Sequence, residues 1–170
     1  CCMFVELIDR LRCPHDHEDT WLVAAASRTA ARRLVDATLG CPVCEAEFAV
    51  RDGIVVFGES APSAPMSAAE DEVMRAAALL HVQERGLYAL DAGWGSLASA
   101  LLPLVSAEYL LVDPPAGIVA EEGVGILVGI GDRWPLAAAS LQGMALERAS
   151  AARVADAVRV LKLRGRLVAP

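Results

Sequence analysis

The second part of the chain, residues 67–170, alternates short apolar runs with polar turns and amphipathic stretches. Short apolar runs bounded by turn residues are typical of strands that are buried on both faces. The predicted strands are Leu87–Leu90, Tyr109–Val112, Gly125–Val128, Gly143–Leu146 and a fifth that follows Arg164-Gly165. Helical periodicity over Ser150–Leu163 and an Ala/Leu-rich run from Leu97 lie between these strands. The alternation predicts an α/β fold around a parallel, doubly wound sheet.

The first part of the chain, residues 1–57, has shorter apolar runs and more turns. Apolar spacing over Met3–Leu11 predicts a helix, which should stop at Cys13-Pro14 because the residue before proline avoids the α region. Asp52-Gly53 between two apolar runs is a strong hairpin signal. We therefore expect a small N-terminal α+β module of one helix and several short strands.

A segment of small, polar and proline residues at 58–66 predicts a linker between this module and a domain at 67–170. Ser67 followed three residues later by Glu70 matches a capping box, which predicts that a helix begins there. We expect that helix to run to about Arg85, with Gly86 ending it.

Three cysteines of the first module have the spacing of metal ligands. Cys41 and Cys44 form a Cys-x-x-Cys turn, which is half of a tetrahedral zinc site, and Cys13 can supply a third thiolate. In the other turn, His17 or His15 is available as the fourth ligand. Zinc held by Cys13, His17, Cys41 and Cys44 is the favoured set, with His15 as the alternative to His17. A weaker option for the fourth ligand is Asp16, and a ribbon held by apolar packing without metal also stays open.

The cysteine turns and the hairpin carry a family resemblance. Leu11–Pro14, Gly40–Cys44 and Phe48–Ile54 resemble the small zinc-ribbon family that activates tRNA and protein methyltransferases. The resemblance implies that this ribbon binds a protein partner rather than performing chemistry. The partner would have a methyltransferase-like fold, either in a larger assembly or in the same chain.

The first predicted strand of the second part ends in Asp91-Ala92-Gly93-Trp94-Gly95. A strand that runs into an acid, a Gly-x-Gly turn and a helix is typical of the ligand-binding turn of a doubly wound sheet. Gly93 and Gly95 have no Cβ and allow close approach to the main chain, although a tight turn needs glycine with or without a ligand. Asp113 ends the second strand, where such folds bind ribose hydroxyls.

These landmarks, with Gly131-Asp132 and 159–167, resemble class I S-adenosylmethionine-dependent methyltransferases over about residues 70–170. The resemblance implies a Rossmann-like fold with S-adenosylmethionine as cofactor. Asp91 would order the first loop, and Gly93 and Gly95 would pass beneath the adenosyl group. Asp113 would bind the ribose hydroxyls, and Asp132 would face the adenine amino group. Trp134 would either lie along the adenine ring or fill the core.

The chain also departs from that family. Leu97 stands at the third glycine of the turn, and the sequence ends just after strand five, so the sheet is shortened. Glu147, at the end of strand four, is the only weak candidate for a general base. We therefore expect either a methyltransferase acting on an unidentified acceptor or a degenerate fold kept as a structural or regulatory subunit.

The charge balance limits the partners. A formal net charge of −7 disfavours direct nucleic-acid binding, which normally needs a basic face. No uninterrupted apolar run approaches the roughly 18 residues of a membrane helix, and no signal-peptide pattern is found. We expect a cytoplasmic protein without a transmembrane segment.

Overall fold

The computed structural model describes residues 3–31, 33–61 and 63–170, so that Cys1, Cys2, Arg32 and Pro62 lie outside it. The described strands form one mixed, mostly parallel sheet. They are β1 (Met3–Phe4), β2 (Val23–Ala30), β3 (Arg33–Gly40), β4 (Glu47–Arg51), β5 (Ile54–Val56), β6 (Leu87–Asp91), β7 (Glu108–Val112), β8 (Val124–Val128), β9 (Leu141–Ala145) and β10 (Leu161–Val168). Their order is β1-β3-β4-β5-β8-β7-β6-β9-β10, with β2 on the free side of β3.

The five strands from β6 to β10 are parallel wherever they pair. When these five strands are numbered 1 to 5 along the chain, their spatial order across the sheet is 3-2-1-4-5. This is the strand order of a doubly wound sheet. The carboxyl ends of β6, β7 and β9 therefore meet at one edge of the sheet. The predicted α/β class and parallel sheet are confirmed.

Helices cover both faces of this sheet. They are α1 (Glu70–Leu80), α2 (Ala98–Leu101) and α3 (Ala151–Val160), with 3-10 segments at Val5–Arg10 and Ala92–Leu97. Alternate residues of each strand face opposite sides, so Leu87 and Ala89 pack with α3 and the first 3-10 segment, whereas Tyr88 and Leu90 pack with α1 and α2. The result is a three-layer arrangement with a buried cluster on each face.

The N-terminal strands continue the same sheet. β5 pairs in parallel with β8, with Val55 opposite Leu127, and Phe57 N–H donates to Val128 O at 2.9 Å. Arg12 N–H donates to Pro135 O at 2.9 Å, on the sheet face covered by α3. Residues of 1–57 and of 67–170 thus share a sheet and a buried cluster. The boundaries of the two predicted units stay a prediction.

Several predicted element ends are wrong. α1 begins after Ala69 rather than Ser67, because the Ser67 hydroxyl accepts from the Ala69 N–H and does not cap the helix. It ends at Leu80 because His81 is left-handed at φ 52° and its N–H returns to Ala78 O, so Gly86 is not the terminator. The segment predicted as one helix over Met3–Leu11 is a two-residue strand and a 3-10 turn. Within the described residues, no helix is both long and apolar enough to cross a bilayer.

Candidate metal centre and strand-end carboxylates

The cysteine turns bring together four side chains of the predicted metal set. The ligand atoms of Cys13, His17, Cys41 and Cys44 all lie within 4.8 Å of one another. Cys41 directly follows β3, and its N–H donates to Ala46 O at 2.8 Å, which closes the turn that carries Cys44. This Cys/His group could hold a zinc ion, and the four residues are those favoured from the sequence.

Two of the distances within the group match a tetrahedral zinc site. Zinc–sulfur bonds of about 2.3 Å and zinc–nitrogen bonds of about 2.0–2.1 Å place two sulfurs about 3.8 Å apart and a sulfur and a nitrogen about 3.6 Å apart. The Sγ atoms of Cys13 and Cys44 are 3.7 Å apart, and Cys41 Sγ lies 3.5 Å from His17 Nε2. The residues therefore fit the metal.

The second ring nitrogen of His17 has its own partner. His17 Nδ1 lies 2.7 Å from the carbonyl oxygen of Glu18, which can only accept a hydrogen bond. Nδ1 must therefore carry the proton, and in the neutral ring Nε2 keeps its lone pair, directed to the cysteines. This outer hydrogen bond is the usual way in which a metal-binding histidine is oriented.

His15, the alternative ligand, lies beside the group but outside it. Its Nδ1 is 3.4 Å from Cys44 Sγ, and its ring packs edge-on against Phe48 at 5.7 Å between centroids. The aromatic contact gives His15 a packing role beside the group.

The thiols of the group differ in acidity. Burial raises the pKa of Cys13 to about 12. For Cys41, burial also raises the pKa, but backbone hydrogen bonds from Cys44 and Val43 outweigh burial and bring the pKa to about 7. Both cysteines would bind a divalent cation as thiolates, so metal binding would release protons from this group.

At the carboxyl edge of the sheet, Asp91 and Asp113 end the neighbouring strands β6 and β7. Both side chains are buried, with 0% and 2% of their surfaces exposed. One Nη2 of Arg148 joins them, at 3.0 Å from Asp91 Oδ1 and 2.7 Å from Asp113 Oδ2. The predicted neighbours thus meet, with a cation of the same chain between them.

Asp91 has further partners on the segment that follows β9. Its Oδ2 accepts the N–H groups of Glu147 and Arg148, at 3.2 and 3.1 Å. Its Oδ1 also accepts from the buried Arg153 at 2.8 Å. Asp91 therefore joins the end of β6 to the end of β9 and to α3.

Asp113 likewise has internal partners. Its Oδ1 accepts the Gly129 N–H at 2.6 Å, and its carbonyl oxygen accepts from Ser63 Oγ at 3.1 Å. Asp113 is itself left-handed at φ 45°, a conformation that aspartate adopts more readily than most residues.

The Gly-x-Gly turn is also approached closely, but by the chain itself. The Gly93 N–H donates to Glu147 Oε2 at 2.6 Å, and a Cβ on Gly93 would lie 2.7 Å from Ala64 O. A Cβ on Gly95 would lie 3.0 Å from Pro114 Cβ. Both glycines are needed for contacts within the protein, including those with the segment between β5 and α1.

The remaining predicted residues are spread around this edge. Asp132 is exposed and accepts from Ser150 Oγ at 2.7 Å. Trp134 is buried, and its backbone N–H donates to Asp156 Oδ2 at 2.6 Å. The centre of its ring lies 4.7 Å from the Arg153 guanidinium. The core alternative for Trp134 is the one observed. Leu97 is buried in the cluster beneath α1 and α2.

Sequence reasoning missed the two arginines that neutralise Asp91. Arg148 follows Glu147 at the end of strand four, and Arg153 lies one turn into the following helix. The sequence did contain a signal for Arg148. It is a basic residue just after the fourth predicted strand, while the first and second predicted strands end in acids. Compared with models of known families and with curated proteins, the chain matches none.

Proposed function

We propose that this chain is a non-catalytic structural or regulatory subunit built on a zinc-stabilised α/β fold. Its carboxylate edge, formed by Asp91 and Asp113 at the carboxyl ends of β6 and β7, is closed by other side chains of the same protein. The observation that carries the proposal is the Arg148 guanidinium between Asp91 and Asp113. A carboxylate can bind ribose hydroxyls only through lone pairs that other donors leave free. The oxygens of Asp91 accept four hydrogen bonds, from Arg148, Arg153 and two backbone N–H groups. Each oxygen of Asp113 accepts one, and Asp113 is only 2% exposed.

Opening this edge for a nucleoside would require several changes at once. Arg148 would have to leave two carboxylates, and residues 63–66 would have to leave the glycine turn. Removing one partner of a buried ion pair costs about 3–5 kcal/mol, and the Arg148 side chain, which is 47% exposed, would contribute less because water screens it. A ligand could bind only if its own contacts contributed more free energy than this cost.

In this proposal, zinc is structural. Cys13, His17, Cys41 and Cys44 would supply all four positions of a tetrahedral ion, which leaves no position for water or substrate. When bound, the ion supplies a cross-link between the segment before β2 and the turn between β3 and β4. The chain's own residues orient the ligands through the Glu18 carbonyl and the β3–β4 turn.

The ribbon offers a surface for a protein partner. Trp21, Val23 and Val43 are 63%, 55% and 44% exposed, respectively. Val23–Ala26 is the regular part of the free edge strand β2 and has no charged side chain. We infer that an extended, uncharged segment of a partner protein adds to this edge through backbone hydrogen bonds.

The proposal is tested by calorimetric titration of S-adenosylmethionine and of its demethylated product into the zinc-loaded full chain. We expect no measurable heat of binding up to about 1 mM, the concentration range of weak millimolar sites. Micromolar binding that Asp113→Ala abolishes and Glu84→Ala leaves intact would overturn it. Glu84 is a suitable control because it is exposed and precedes the amino end of β6, opposite to the end where Asp91 and Asp113 lie.

The second candidate is an S-adenosylmethionine-dependent methyltransferase. The 3-2-1-4-5 strand order and the adjacency of Asp91 and Asp113 favour it, since ligands of doubly wound folds bind where the strand order reverses. In that case Asp91, Gly93, Gly95, Asp113 and Asp132 would hold the cofactor, and Glu147 would be the weak candidate for a general base. The same titration decides between the two candidates.

A further inference from the structure

The opposite edge of the parallel sheet contains a polar pocket of about 500 Å³. It lies at the amino ends of β6 and β9, whereas Asp91 and Asp113 lie at the carboxyl ends. The end of α1 forms one wall and β10 forms another. The polar side chains on the α1 side and floor are His81, Gln83, Tyr88 and Gln142.

Three cations of β10 line this pocket. Lys162, Arg164 and Arg166 occupy alternate positions along the strand, and all three are exposed. Within the residues that the structure describes, none of the three side chains makes a hydrogen bond or an ion pair. By contrast, Arg148, Arg153 and Arg159 each bind a carboxylate. The three cations are unusual in a chain whose net charge is −7.

A bulge in β10 directs this segment toward the pocket. Leu161 pairs with Leu141 and Arg166 with Gly143, so β10 advances five residues while β9 advances two. Arg164 is left-handed at φ 66°, which is unfavourable for a residue other than glycine, asparagine or aspartate. Strained backbone of this kind is more frequent at binding sites than elsewhere.

The surroundings do not compensate the cations. No acidic residue lines the pocket. The carboxyl end of α1 contributes roughly half a negative charge from its free carbonyl groups, which is small beside three formal positive charges. Protection of an edge strand from aggregation would also explain exposed lysine and arginine. That role, however, requires neither a pocket nor three cationic residues in the lining of one pocket.

We propose that this pocket binds the diphosphate group of a small molecule. Arginine matches phosphate oxygens through two parallel N–H donors, and a lysine adds a mobile point charge. A volume of about 500 Å³ falls in the range of pockets for small ligands and exceeds what a single phosphate fills. The pocket is independent of the carboxylate edge, so it stands or falls separately from the proposed function.

The test is a calorimetric titration of pyrophosphate into the zinc-loaded full chain at low ionic strength. We expect a dissociation constant below about 1 mM. Arg164→Ala and Arg166→Ala should each weaken binding about tenfold, as expected when one charge-assisted hydrogen bond is lost. The matched control is Arg51→Ala, which removes another exposed arginine, at the end of β4, and should leave the constant unchanged.

Parallel titrations with ADP and inorganic phosphate identify the source of the group. Binding of both pyrophosphate and ADP would support a diphosphate ester, and binding of pyrophosphate alone would support the free ion. Binding of inorganic phosphate as strong as that of pyrophosphate would overturn the diphosphate assignment. Absence of pyrophosphate binding, or an equal loss in Arg51→Ala, would overturn the site and leave edge protection as the role of the cations.

Discussion

The Cys/His group and the carboxylate edge both gather side chains that suit a ligand, but they differ in what lies between those side chains. At the Cys/His group, two pairs of ligand atoms are as far apart as two ligands of one zinc ion, and three of its four residues are cysteines. At the carboxylate edge, Arg148 and Arg153 already neutralise the acids. Convergence alone therefore does not identify a ligand site. The decisive feature is whether the charge is compensated within the chain.

The largest expected effect comes from removing a zinc ligand. Cys41→Ser should abolish stoichiometric zinc and lower the free energy of unfolding by several kcal/mol, because metal binding is part of the folding free energy of such sites. Zinc content by native mass spectrometry and urea unfolding measure both effects. The matched pair is His17→Ala, which should behave like Cys41→Ser, and His15→Ala, which should retain one zinc per chain. Loss of zinc in His15→Ala alone would reverse the ligand assignment.

The next largest effect on the free energy of unfolding is expected from Asp91→Ala. It leaves the buried Arg153 without its carboxylate and frees two backbone N–H groups, so we expect a loss of about 3–5 kcal/mol of unfolding free energy. Chemical denaturation of the zinc-loaded protein measures it. Asp132→Ala is the control, because its exposed carboxylate bonds only Ser150 and should cost less than about 0.5 kcal/mol. Equal effects of the two variants would contradict a structural role specific to Asp91.

Asp113→Asn should cost less, about 1–3 kcal/mol. Asparagine keeps one oxygen, so it can accept either from Gly129 N–H or from Arg148 but not from both, and its NH2 group would face the other donor. The ion pair itself contributes little, since the Arg148 side chain is about half exposed and the pair is screened. A double-mutant cycle of Asp113→Asn with Arg148→Gln measures the coupling energy between these two side chains. A coupling energy near zero would mean that Arg148 does not hold the edge closed.

The smallest effect concerns Asp156. Burial raises its pKa, but Arg159 and the Trp134 N–H outweigh burial, so the pKa lies below its usual value. A group with a lowered folded-state pKa stabilises the protein above its unfolded pKa of about 3.9 and loses that contribution as the pH falls through the folded value. Asp156→Asn should therefore lower stability by about 1 kcal/mol between pH 5 and 8, and the difference should shrink below about pH 4. Denaturation at several pH values measures it, and a constant difference would contradict the ion pair.

Much of this architecture follows from local pattern. The apolar runs at 87–91 and 109–112 are strands because residues on both faces are buried, and the cysteine turns converge because their spacing permits it. Local patterns do not predict which distant residue will neutralise a buried charge. Arg148 and Asp113 are 35 residues apart, and no local period relates them. The junction of β5 with β8 is equally non-local, since the segment 58–66 reads as a linker whether or not the sheet continues across it.

The central claim is that this chain takes a metal ion at the Cys/His group and no nucleoside at the carboxylate edge. Native mass spectrometry of the full chain, equilibrated with both zinc and excess S-adenosylmethionine, examines the two sites in one spectrum. We predict the mass of the chain plus one zinc ion and no adenosyl adduct. An adduct that survives in the wild-type protein and disappears in Asp113→Ala, or a chain that carries no zinc, would contradict the claim.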